Sequence, residues 1–204
     1  MAETAGTLRA IVQRRVRDIN ATYHANAFVL DILSRTQRLI NVGTQLVKAS
    51  ATLTLNANQQ LYTINTDVST SAVDVLKVTY QNQDLDKQTF TELNQIDRRW
   101  WRKVGSKPET WAQIGRTLLV VHPAVSQSSS VTVTYSKLTN DLVADATALE
   151  ISEDTDLMVV DLTQAILEIR QRDFDQAIES IGRFTDRFQG EFGLLDLVDT
   201  ELGE

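Results

Sequence analysis

The spacing of apolar residues in this chain changes twice, which rules out an all-helix or an all-strand fold. Leu8, Ile11, Val12, Val16 and Ile19 return every three or four positions and predict one stripe of an amphipathic helix. Arg9, Arg14, Arg15 and Arg17 lie mostly off that stripe. Residues 20–26 break the pattern and offer Asn20, Thr22 or Asn26 as an N-cap. Val29, Ile32, Leu33, Thr36, Leu39 and Ile40 then predict a second helix running as far as Lys48.

From Ala51 the period drops to that of a half-buried strand, with Leu53 and Leu55 alternating with Thr52 and Thr54. Further extended segments are predicted at residues 61–64, 73–80, 111–114, 117–122 and 131–135, with turns at Asn82–Gln83 and at Gly115. Phe90, Leu93 and Ile96 return to helical spacing and predict a short helix between strands. After a polar connection, Ser152 is a candidate N-cap, with Glu153, Asp154 and Asp156 suited to a helix N-terminus. Met158, Leu162, Ala165, Ile166 and Ile169 form the stripe of that helix. Asp173 can cap a last helix carrying Phe174, Ala177, Ile178, Ile181, Phe184 and Phe188, with Gly190 expected at its C-terminal end.

These elements predict an α+β chain in which helices from both ends form a bundle and a small antiparallel β domain is inserted between them. The expected boundaries are 1–49 and 138–190 for the bundle and 50–137 for the β domain, with 191–204 as an extended tail. That tail carries Phe192, Leu194, Leu195, Leu197 and Val198 among acidic residues, the composition of a partner site or of a segment folded back on the bundle.

Composition narrows the chemistry. The chain has no Cys, which excludes disulfides and thiolate metal sites, and no apolar run long enough for a membrane span. A soluble, intracellular protein without membrane contact is expected. His24 and His122 stand apart from any metal-binding spacing, and no nucleophile elbow, phosphate loop or dinucleotide fingerprint is present. Neither a cofactor nor an enzymatic activity is therefore expected. The net charge of −7 is unevenly spread: residues 1–50 carry +4, residues 51–137 carry +2 and residues 138–204 carry −13. Different parts of the molecule thus suit different surroundings.

One cluster departs from the acidic whole: Arg98, Arg99, Trp100, Trp101, Arg102 and Lys103. Cations interleaved with aromatics can grip single-stranded nucleic acid, and exposed Trp residues can also hold a glycan. The alternative is that one Trp anchors the loop on the β domain while the cations face solvent or a neighbouring subunit.

The order of features adds a resemblance. The helix of residues 29–39 with Gln37 and Arg38 precedes the run from Ala51 to Leu55, then Gln59, Gln60, Leu61 and Tyr62. Asp67, the strand at 75–80, Leu85 and Asp86, the short helix, the paired Trp, Pro108, Trp111, residues 118–123 and residues 131–135 follow in sequence. This succession, over about residues 25–190, resembles phage head-to-tail adaptors of the type called tail tubular protein A or head completion connector. The resemblance implies a structural virion subunit assembled in the host cytoplasm. Copies would form a ring, commonly twelvefold, beneath the portal protein and join it to a downstream tail or nozzle protein. Genomic DNA would pass through the lumen without sequence-specific binding, and part of the acidic excess would line that lumen. Phe188, Phe192, Leu194, Leu195 and Leu197 become portal-facing anchors on this reading, and the Arg98 to Lys103 loop a subunit or tail contact. Another neck component, a stopper or tail terminator, is the nearest alternative.

Overall fold

A computed structural model describes residues 4–96, 98–151 and 155–193. The expected cap Ser152 with Glu153 and Asp154, and the expected anchors Leu194, Leu195 and Leu197, lie outside the described residues. The fold is α+β and forms two compact units. One joins the chain up to Leu46 with the chain from Thr139 onward, and the other is Val47–Leu138.

The helical unit contains α1 (Ala5–Arg15), α2 (Asn26–Thr44), α4 (Asp156–Gln171) and α5 (Phe174–Phe192). Thr4 caps α1 by accepting from Thr7 N, and the next free N–H groups, of Ala5 and Gly6, reach the Thr147 and Asp145 carbonyls at 2.8 and 2.9 Å. Gly6 has no Cβ at a point where one would come within 2.7 Å of the Asp145 side chain, so the helix end sits directly on that segment. Arg9 completes the junction with a bidentate ion pair to Asp145, at 2.9 and 2.7 Å. Leu8, Val12, Val29, Leu33, Ile40, Met158, Val159 and Leu167 supply the buried apolar interior.

Between α1 and α2 the chain turns on one carboxylate. Asp18 is buried and accepts from the backbone N–H of Thr22, Tyr23 and His24, at 2.7 to 3.1 Å. Burial alone would push this carboxyl up, but those three N–H groups and nearby His24 outweigh it and hold the group below its ordinary 3.8. The expected caps Asn20, Thr22 and Asn26 are not used; Ala25 precedes α2 without a side-chain cap. The elbow is organised from its start by Asp18 instead. Ile19, expected on the α1 stripe, falls beyond the helix and is exposed, as is Leu39 of α2.

The β unit contains β1 (Lys48–Leu55), β2 (Leu61–Thr63), β3 (Ala72–Tyr80), β4 (Gln83–Asp84), β5 (Asp86–Lys87) and α3 (Phe90–Ile96). It continues with β6 (Val104–Gly105), β7 (Thr110–Ile114), β8 (Leu118–His122), β9 (Ala124–Val125) and β10 (Ser129–Lys137). Two four-stranded sheets run β1-β10-β3-β4 and β2-β8-β7-β5. Pairing is antiparallel, as expected, apart from two two-residue pairs in which β5 lies parallel to β7 and β6 to β9. Gln81 and Asn82, both at positive φ, form the two-residue turn from β3 to β4. Leu53, Leu55, Val75, Val78, Val131 and Val133 of one sheet meet Tyr62, Trp111, Leu119 and Val121 of the other in a single core. The intervening β7 and β8 residues, Ala112 and Val120, face the other way and pack with Leu93 and Trp100. One sheet is thus covered on both faces, which explains why 118–121 reads as a continuous apolar run.

A carboxyl held below its ordinary value stabilises the fold above that value and loses its contribution as pH falls through the lower, folded value. Asp18→Asn is therefore expected to lower stability at neutral pH. Urea unfolding across pH should show this gap from the native chain closing below about pH 4.

Candidate functional site

The most distinctive surface is on α5. Its cap is as expected, with Asp173 accepting from Gln176 N at 3.4 Å, but the helix runs past Gly190 to Phe192 and ends at Gly193, in the left-handed region at φ +59°. Only Ala177 and Ser180 of its residues are buried. At 3.6 residues per turn, Phe174, Ile178, Ile181, Phe188 and Phe192 fall within roughly 80° of arc. Phe174, Ile178 and Ile181 were expected on the stripe of a bundle helix, yet Phe174 is 59% and Ile178 68% exposed. Phe184, Phe188 and Phe192 are half-buried and pack largely on one another, with ring centroids 5.6 and 5.0 Å apart.

The apolar face is turned away because a polar seam holds α5 to α4. Asp161 of α4 has no exposed side-chain surface and takes Arg187 Nε at 2.9 Å, Arg15 Nη1 at 2.5 Å and Arg183 Nε at 3.6 Å. About two turns along α4, buried Glu168 accepts from Gln164 Nε2 at 2.6 Å and Ser180 Oγ at 2.7 Å. Arg183 Nη2 in turn donates to Ser180 Oγ at 2.9 Å. The seam residues Ser180, Arg183 and Arg187 lie roughly 120–180° round the helix from the centre of the apolar face, with Ala177 between the two. Asp175, Glu179 and Asp186 are exposed on the remaining third, so the apolar face has an acidic flank.

The Trp–Arg loop lies in the β unit. Trp100 is the anchor: it is buried, donates from Nε1 to Asn94 Oδ1 at 2.9 Å, and meets Phe90 edge-on. Gln60, also buried, donates to the carbonyls of Trp100 and Lys103 at 3.0 and 2.7 Å, fixing both ends of the turn. Trp101 is 54% exposed beside exposed Leu61, and exposed Val104 follows on β6. Arg98, Arg99, Arg102 and Lys103 are exposed around them.

The two histidines are structural. His24 is buried in the elbow, its Nε2 3.1 Å from Gln171 Nε2, and stacks on Phe28. His122 is buried edge-on to Trp100. Among the described residues no cluster of three or more His or acidic groups is placed to hold a metal ion, and no helix is long and apolar enough to cross a membrane.

Among the described residues the main apolar surface is the exposed face of α5, the kind of surface by which a structural subunit meets a partner. The chain matches the SU10 adaptor protein family over residues 3–202 and belongs to it. It is a phage adaptor-type protein and a component of the virion. No curated relative matches the chain.

The seam makes an asymmetric prediction. Arg15→Met with Arg187→Met strands a buried carboxylate beside one distant cation and should cost about 3–5 kcal/mol in urea unfolding. Asp161→Ala leaves guanidinium groups that can turn to water, since each is partly exposed, and should cost less, about 1.5–3 kcal/mol.

Proposed function

We propose that this chain is a head-to-tail adaptor of the tail tubular protein A type. Copies form a ring beneath the portal protein, continue its channel and present a surface to the next tail component. The observation that carries this reading is the phenylalanine ladder of Phe184, Phe188 and Phe192, which ends an apolar helix face that the helical unit leaves open. A face of that kind is stable in water only at a cost, and docking against a partner relieves it. Phe188 and Phe192 are the portal anchors within the described residues. Leu194, Leu195 and Leu197, which follow outside them, extend the same apolar character in sequence. Part of the acidic surface lines the lumen, where it limits adhesion of DNA phosphates during passage.

Portal docking gives the test. Two aromatic anchors at about 2 kcal/mol each make Phe188→Ser with Phe192→Ser roughly a thousandfold weaker for the portal ring. Mass measurement of the mixed complex reads this directly. Thermal unfolding of the variant should change little, because both rings are partly exposed. Undiminished docking would remove these residues from the portal contact.

A further inference from the structure

We infer that the Trp–Arg loop of one copy docks on the open face of α5 in the next copy, forming the head-to-tail contact that closes the ring. This rests on the ring reading above and names its subunit interface.

The two surfaces have matching character. Each has an apolar centre with charge beside it, and the signs are opposite. On α5 the centre is Phe174, Ile178 and Ile181, flanked by Asp175, Glu179 and Asp186. In the loop the centre is Trp101 with Leu61, surrounded by Arg98, Arg102 and Lys103. Glu179 is held only loosely by its own helix, at 3.9 Å from Arg183, and can turn to a better cation. Burying the two centres together removes apolar surface from water while the flanks pair.

Charge decides which surfaces of two copies can meet. A contact centred on either surface would set it against itself: α5 on α5 would face acid with acid, and loop on loop would face arginine with arginine. Pairing loop with α5 matches the signs, and the ring reading selects its heterologous form, repeated from copy to copy, over a reciprocal pair that would stop at a two-fold dimer. The 19 residues of α5 extend about 28 Å, enough to divide the labour along the helix. The stretch from Phe174 to Asp186 meets the neighbouring loop, and the last turn and a half, with Phe188 and Phe192, remains for the portal.

Because the chain has no Cys, a pair of introduced thiols is unambiguous. Gly182→Cys stands in open space on the flank of α5, and Val104→Cys replaces an exposed residue beside the loop. The double variant, treated with a flexible bismaleimide at high concentration alone and with portal rings, should give a ladder extending past dimer. Each single-Cys variant should stop at dimer or below. Glu179→Lys with Asp186→Lys, and separately Arg98→Glu with Arg102→Glu, should each lower ring yield at least tenfold. An equimolar mixture of the two charge variants should restore rings, since alternate copies then pair correctly.

A ladder ending at dimer would show a two-fold contact, and linkage within single chains would show no contact between copies; either overturns the inference. So would rings indifferent to both charge reversals, including the case in which the loop variant loses only salt-sensitive oligonucleotide binding. If the native chain forms no ring under either condition, the adaptor reading falls and this inference with it. Native rings without the ladder sink the inference alone.

Discussion

Asp161 is a carboxylate removed from water at the meeting point of α1, α4 and α5, and the arrangement of the helical unit follows from satisfying it. An ionised group in that position is tolerable only with cations and hydrogen bonds in good geometry. Arg15 comes from the end of α1, and Arg183 and Arg187 from successive turns of α5, so three helices converge on one side chain. Glu168 repeats the logic further along α4 through Ser180. These contacts set the rotation of α5 about its own axis. A helix with that apolar content would otherwise bury its phenylalanines; the seam turns them outward.

That rotation decides what the helix exposes. A subunit that hid Phe174, Ile178 and Phe188 in its own interior would gain apolar burial but offer partners little. Holding α5 by charge and hydrogen bonds keeps the apolar face and its acidic flank at the surface. The β unit uses a comparable division. Trp100 goes inward to cover the outer face of a sheet, with Asn94 and Gln60 fixing the turn, while Trp101 and the neighbouring cations are carried on its outside. In both units a buried polar or aromatic anchor determines which apolar residues stay at the surface.

Much of this was legible from periodicity. The two changes of apolar spacing correspond to real changes from helix to strand and back, because a helix face and a strand face repeat at different intervals regardless of what covers them. Local chemistry carried further detail: Asp173 as a cap, the turn at Asn82 and the bend at Gly115 depend on groups within a few residues of one another. Where several local solutions compete, the chain adopts one that spacing alone does not select. Gly193 rather than Gly190 ends α5, since the helix continues as long as its residues tolerate it, and Asp18 rather than a capping Asn organises the first elbow.

The sequence by itself therefore determined the kinds of element, their order and the adaptor-like succession of motifs. Only the tertiary structure decided which side of each amphipathic element is covered. Phe174, Ile178 and Ile181 have the spacing of a buried stripe, and nothing in their neighbours along the chain distinguishes them from one. What exposes them is Asp161, more than a dozen residues away, whose demand for cations is met by Arg183 and Arg187 on another third of the same helix. Trp100 and Trp101 show the same limit at closer range, for the partners that draw one of them inward are Asn94, Phe90 and the sheet beneath. Burial depends on which surfaces meet in space, and a local pattern contains no record of the meeting.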